Sequence, residues 1–188
     1  MEFGKIRVKI RGLTPILMNR LTAETLKPKG PSPTTQYVPA EEARKAAYIT
    51  VVDGKEQLYI PNTWLYSMTI RAAGEYKRRG RRSSLSSTLA GTIRVEPEKI
   101  LLGHCNYEID ERPVNIQRAK VLAWRPKIEP WEVEFTIVYN KLHVTPEVIA
   151  ALKTIIEDGG VRLGIGDYRP QHKGWFGTFS VEEYEVVE

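Results

Sequence analysis

Lys5-Ile6-Arg7-Val8-Lys9-Ile10-Arg11 alternates charged and aliphatic residues without a break. A two-residue period of this kind fits an extended strand with one face on a core and the other in water. The water-facing side is wholly basic. Trp131-Glu132-Val133-Glu134-Phe135-Thr136-Ile137 repeats the alternation, and Trp131 falls in register with Val133, Phe135 and Ile137, which places it in the core.

Gly12 and Pro15 end the first strand, and residues 22–40 hold Pro28, Pro31, Pro33 and Pro39 with little periodicity, which reads as a long loop. Segments 48–52 and 57–60 flank Asp53-Gly54, a hairpin signal. Pro61 and Asn62 begin a helix that Asn62 caps. Leu65, Met68, Ala72 and Tyr76 form its core stripe, and Arg71, Glu75 and Arg78 lie opposite. This helix is expected to run into Lys77-Arg78-Arg79-Gly80-Arg81-Arg82 and a serine-rich patch at 83–87, a stretch that takes fixed structure only with a ligand.

Segments 92–95, 99–102, 119–124 and 131–139 read as strands, with 106–116 an inserted loop or ribbon. Thr145-Pro146-Glu147 supplies a cap, a first-turn proline and a first-turn acid for a second helix. That helix carries Val148, Leu152, Ile155 and Ile156 and is stopped by Gly159-Gly160. A short strand at 161–165, a glycine loop and a last strand over 177–187 complete the chain. Without insertions at about 20–47 and 80–130, the order is β-α-β-β-α-β: a single domain over 1–188 with an α+β, ferredoxin-like or RRM-like plan. Two helices cover one face of an antiparallel sheet, and the free face is a candidate platform for RNA or single-stranded nucleic acid. No internal sequence repeat accompanies this pseudo-symmetry.

The formal charge of +5, from 28 Lys and Arg against 23 Asp and Glu, says little until it is resolved by position. Arg71 to Arg82 contains six cations and one acid, and Arg112 to Lys127, which includes Arg118, Lys120 and Arg125, contains five cations and none. Two such clusters, with the first strand, fit a polyanionic partner whose affinity falls steeply with salt. The alternative is a set of solvated charged faces. Glu182, Glu183, Glu185 and Glu188 make the tail acidic, as for a protein contact or a solvated edge. A lone Cys105 forms no intramolecular disulfide and fits a reducing, cytoplasmic setting. No apolar run approaches the roughly 20 residues of a membrane helix, so no membrane association is expected.

Residues 164–177, Gly-Ile-Gly-Asp-Tyr-Arg-Pro-Gln-His-Lys-Gly-Trp-Phe-Gly, form the most distinctive string. Gly164, Gly166, Gly174 and Gly177 could turn backbone N–H groups toward a phosphate beside Arg169, His172 and Lys173. They could equally serve only to turn the chain. The string has neither a Walker lysine nor the strand-to-helix setting of a dinucleotide fingerprint.

This string resembles the glycine-rich C-terminal loop of the RAMP superfamily of CRISPR-associated proteins. Ile60-Pro61-Asn62-Thr63-Trp64-Leu65 through Arg71 is similar to that family's first helix start, and the β-α-β-β-α-β order extends the likeness over most of the chain. The two insertions resemble those of Cas7-like subunits, whose thumb ribbon reaches across a guide RNA. Gly12-Leu13-Thr14-Pro15-Ile16-Leu17-Met18 with Gly164-Ile165-Gly166-Asp167-Tyr168-Arg169-Pro170 also looks like small phage-encoded RAMP-like proteins.

The resemblance implies a non-catalytic protein without cofactor or metal that binds single-stranded RNA or DNA through its phosphates. It would act as a homo-oligomer along the strand or within a CRISPR-type ribonucleoprotein. Arg71, Lys77, Arg78, Arg79, Arg81 and Arg82, with Arg169, His172 and Lys173, would border the groove. The second cluster, Arg112, Arg118, Lys120 and Arg125, would add to it, and Tyr168 and Trp175 would stack on bases. Two other readings stay open: a metal-independent, Cas6-like endoribonuclease using His172 or Tyr168 as acid or base, and a phage protein that mimics a CRISPR or recombination subunit. His104, His143 and His172 show no metal spacing.

Overall fold

The computed structural model describes residues 2–23, 37–77, 80, 82–116 and 119–187. Strand β1 (Phe3–Gly12) buries Ile6, Val8 and Ile10 completely, as the alternation requires. A two-residue strand β2 (Ile16–Leu17) follows. Helix α1 (Pro39–Ala46) occupies part of the stretch expected to be loop. It has Pro39 in its first turn, Glu41 and Glu42 at its positive end and Arg44 and Lys45 at its negative end. Only Ala43 and Ala46 are buried, so its apolar stripe is too faint to stand out in sequence. Residues 24–36 of that expected loop lie outside the described residues.

Strands β3 (Ile49–Val52) and β4 (Lys55–Pro61) form the expected hairpin, with Asp53 at φ 50° and Gly54 at φ 74°, both left-handed as a type I′ turn requires. Helix α2 (Asn62–Ala72) buries Leu65, Met68 and Ala72. Asn62 does not cap it: Pro61 holds the cap position, and Asn62 Nδ2 donates to Val95 O at 2.7 Å. The helix stops at Ala72 in a 3-10 turn, Ala73–Glu75, short of the basic segment it was expected to enter. Within the serine-rich patch, Leu85–Leu89 form the short helix α3, whose Leu85 and Leu89, four residues apart, both enter the core.

The remaining elements are β5 (Ile93–Glu96), β6 (Lys99–Leu101), β7 (Glu108–Ile116), β8 (Ala119–Ile128), β9 (Glu132–Asn140), helix α4 (Pro146–Arg162) and β10 (Phe179–Val187). Strands β7 and β8 pair as one long antiparallel ribbon. Gly159-Gly160 does not end α4, because these glycines serve packing instead. A Cβ on Gly159 would meet Met68 Sδ at 2.2 Å, and one on Gly160 would meet the Phe179 ring at 2.7 Å. The strand expected at 161–165 is therefore absent: Val161 and Arg162 finish α4, and Leu163–Ile165 form a buried connection.

The principal sheet has the order β10-β1-β9-β5, antiparallel throughout. Read with α2 and α4, the path β1-α2-β5-β9-α4-β10 makes two interlocked split βαβ units, each with a strand of the other between its own. The fold is α+β and ferredoxin-like. Both helices lie on the same face, where Val8, Val133, Phe135 and Ile137 meet Leu65, Met68, Leu152 and Ile156 in one hydrophobic cluster. Two three-stranded sheets, β2-β8-β7 and β3-β4-β6, are built from the inserted segments. Among the described residues, no helix is long and apolar enough to cross a membrane.

The uncovered face of the principal sheet corrects one expectation. Three of the four cations in its basic row are matched by acids from the neighbouring strands: Arg7 to Glu185 at 3.1 Å, Lys9 to Glu132 at 3.7 Å, and Arg11 to Glu132 and Glu182 at 3.8 and 3.6 Å. The acidic tail and basic first strand are adjacent, so this face is charge-balanced rather than a cationic platform.

Candidate nucleic-acid interface

Between α4 and β10 the glycine loop folds back on itself. The carbonyl oxygen of Tyr168 lies 1.7 Å from where a Cβ on Gly174 would be, and that of Ile165 lies 1.8 Å from the equivalent point on Gly177. No side chain fits either place. The amides of Gly164, Ile165, Asp167, Gly174, Phe176 and Gly177 all donate to backbone carbonyls, including Leu17 O and Pro15 O beside β2. Gly166 turns the chain with φ at 81° against Leu17 O. With these amides used internally, the loop's outward chemistry lies in its side chains rather than in a backbone cradle. Tyr168, His172, Lys173 and Trp175 are exposed, Trp175 at 56%.

The β7–β8 ribbon is bound to this loop by two arginines. Arg125 Nε lies 2.9 Å from Asp167 Oδ2, with both side chains mostly out of solvent. Arg112 grips Asp110 with two hydrogen bonds of 2.5 and 2.6 Å and lays its guanidinium over the Phe176 ring at 4.7 Å and the Tyr168 ring at 5.2 Å. The bond to Asp110 raises the Arg112 pKa despite burial. Lys127 completes the pattern at 2.8 Å from Glu108. Three of the second cluster's cations are thus already matched by carboxylates or rings. The fourth, Lys120, is exposed without an ion pair among the described residues, and Arg118 lies outside them.

The first cluster is arranged differently. Arg71 is exposed on α2, and its charge, after burial, is the next largest influence lowering the pKa of Arg169. Arg169 is held in place by Gly166 O at 2.7 Å and Gln171 Oε1 at 3.1 Å. Beyond the 3-10 turn, a bridge between Lys77 and Ser84 closes an excursion whose sequence includes Arg78, Arg79, Arg81 and Arg82. Lys77 and Arg82 are exposed with no ion pair among the described residues, and Arg78, Arg79 and Arg81 lie outside them.

The aromatic side chains divide in the same way. Trp131 is 3% exposed, and its indole donates to Thr14 O at 2.8 Å. Trp124 donates to Glu111 at 2.6 Å on the ribbon. Trp175 packs one face on buried Phe176, ring centroids 4.5 Å apart, and leaves the rest in water. Phe176, Asp167 and Asp110 order the site, yet none carried a sequence signal: Phe176 and Asp167 act through Arg112 and Arg125, distant in the chain, and Asp110 acts by orienting Arg112, two residues away on the same strand, toward the Phe176 and Tyr168 rings. His104 accepts the Asn106 amide at 3.2 Å, and no His, Cys, Asp and Glu group among the described residues is placed to hold a metal ion.

Among solved structures, the chain resembles one from a "CRISPR RNA-guided surveillance complex", with a TM-score of 0.50 and 9% identity over 98% of this chain and 68% of that one. A chain of a "Type IV-B CRISPR Complex" aligns with a TM-score of 0.48 and 10% identity over 97% of this chain and 90% of that one. At these identities the likeness is one of fold. No family model and no curated protein sequence matches the chain.

Proposed function

We propose that this chain is a non-catalytic, single-stranded nucleic-acid-binding subunit of a CRISPR-type ribonucleoprotein, of the RAMP or Cas7-like kind, assembling in several copies along the strand. One observation carries the reading. Among the described residues Arg71, Lys77, Arg82, Arg169 and Lys173, from the end of α2 and from the glycine loop, form no ion pair with a carboxylate, while the cations of β1 and the ribbon are matched except for Lys5 and Lys120. Arg71, Arg169 and Lys173 meet phosphates there, with exposed Lys77 and Arg82 adding to the basic surface. Trp175 and Tyr168 offer ring faces that accept any base, which suits an unpaired strand. The fold shared with a chain of an RNA-guided complex supports RNA as the polyanion.

The test is fluorescence anisotropy with single-stranded RNA, single-stranded DNA and duplex of equal length across a salt series. Single strands should bind more tightly than duplex, with affinity falling linearly in log salt. Lys77→Glu with Arg82→Glu and Lys173→Glu should abolish binding. Unchanged affinity in that folded variant would remove the assignment.

A further inference from the structure

Strand β10 is the last in its sheet, and among the described residues nothing pairs with its outer edge. Its first half is interrupted by a bulge opposite Lys9 and Ile10, but the stretch from Glu183 to Val187 pairs regularly with β1. That half presents an open ladder of backbone donors and acceptors roughly 17 Å long, at about 3.4 Å per residue. Bulges and charges commonly protect such edges, and here the bulge protects only the other half.

Beneath the same five residues lies a groove of about 820 Å³. One wall is a stripe of α4, Pro146, Ile149, Ala150 and Lys153, at helical spacing; the other is Tyr184 and Val186 on the helix-facing side of β10. The Tyr184 hydroxyl donates to Ile149 O at 2.7 Å and fixes the two walls together. Val186 remains 45% exposed although its neighbours in register, Ile6 and Ile137, are fully buried. Helix α4 thus carries an apolar margin past the last strand, as though one further strand belonged beneath it.

The charges on the opposite side select the occupant. Glu183 and Glu185 stand there, facing Lys9 and Arg7 of β1 in register. A strand on the other side of β10 meets the same two acids. Self-pairing of β10 with a second copy would set acid beside acid, which is unfavourable in cross-strand pairs. We infer that the outer edge of β10 receives an extended segment of another protein in which aliphatic residues, dropping into the groove, alternate with lysine or arginine facing Glu183 and Glu185. This is β-strand addition: the backbone ladder gives affinity and alternate side chains give specificity. It is independent of the nucleic-acid surface.

The probe is the labelled peptide Lys-Val-Lys-Val-Arg-Val-Lys, measured by anisotropy against the full chain, with amide hydrogen exchange read at 183–187. It should bind at least about tenfold more tightly than its glutamate counterpart or a version with a central proline, and should slow exchange at those amides. Ala150→Trp fills the groove from an exposed helix position and should abolish peptide binding while leaving RNA affinity unchanged. Glu183→Lys with Glu185→Lys should transfer the preference to the glutamate peptide. Equal binding of the proline version, or binding that survives Ala150→Trp, would overturn the inference. So would concentration-dependent protection of the same amides in the protein alone, which would make a second copy the occupant.

Discussion

Arg125 and Asp167 form an ion pair between the ribbon and the glycine loop, and its geometry is imperfect: Nε and Oδ2 are 2.9 Å apart, yet neither atom, nor Arg125 Nη1, has a partner in hydrogen-bonding orientation. In an arginine side chain only 12% exposed, the charge at Nε and Nη1 is thus offset by Asp167 rather than by a hydrogen bond. Asp167→Ala leaves that charge without a counter-ion and is expected to cost about 2 kcal/mol in urea denaturation, below the full buried-pair figure because Asp167 is part-exposed. Adding Arg125→Met should restore part of the loss, since an apolar side chain removes the stranded charge.

Gly174 and Gly54 separate two uses of glycine. Gly174→Ala drives a methyl into the Tyr168 carbonyl, which is backbone and cannot swing aside, and should cost about 3 kcal/mol. Gly54→Ala meets open space and suffers only its left-handed φ of 74°, about 1 kcal/mol. Thermal or urea unfolding of the two variants gives the ordering.

Tyr184 predicts an alkaline limit to stability. Burial, and secondarily the nearby Tyr139, push its pKa well above the ordinary tyrosine value. A raised folded-state pKa gives stability that is whole below the unfolded value and declines as pH climbs beyond it. The decline begins near pH 10, at about 1.4 kcal/mol per pH unit for one such group. Tyr184→Phe should lose about 1 kcal/mol at neutral pH with the bond to Ile149, yet show a shallower alkaline fall. Half-buried Tyr48 shifts the same way and keeps some slope in the variant.

Paired and unpaired arginines should differ in salt dependence. Arg71→Ala is expected to reduce the slope of log affinity against log salt by about one. Arg7→Ala, which removes a cation already matched to Glu185, should leave it unchanged. Anisotropy titrations between low and physiological salt distinguish the two.

Trp175 and Trp131 should separate binding from stability. Trp175→Ala is expected to weaken single-strand affinity by about 1 kcal/mol or more with an unchanged unfolding midpoint. Trp131→Phe, which loses the indole bond to Thr14 and leaves space beside Gly12, should lower the midpoint.

Period and turn chemistry made β1, the Asp53-Gly54 hairpin, β9 and the start of α4 legible in the sequence, because each depends on neighbours a few residues away. Helices α1 and α3 escaped notice because two alanines, or two leucines among serines, bury too little to mark a period. Gly159-Gly160 misled because a helix stop and a close approach use the same residue, and only the positions of Met68 and Phe179 distinguish them. The basic clusters were legible as composition but not as electrostatics. Glu185 reaches Arg7, and Asp167 reaches Arg125, only once strands far apart in sequence are in register.

The position of β1 between β9 and β10 has a consequence for assembly of the fold. Lys5 pairs with Val187 on one side and with Val138 on the other, so β1 is completed by a strand about 180 residues further along the chain. Contacts of such sequence separation slow folding. Until β10 arrives, Arg7 lacks Glu185 and Arg11 lacks Glu182. A nascent chain therefore displays the open edge of β1 and an undermatched cationic face together, and docking of β10 covers that edge and supplies the missing acids in one step.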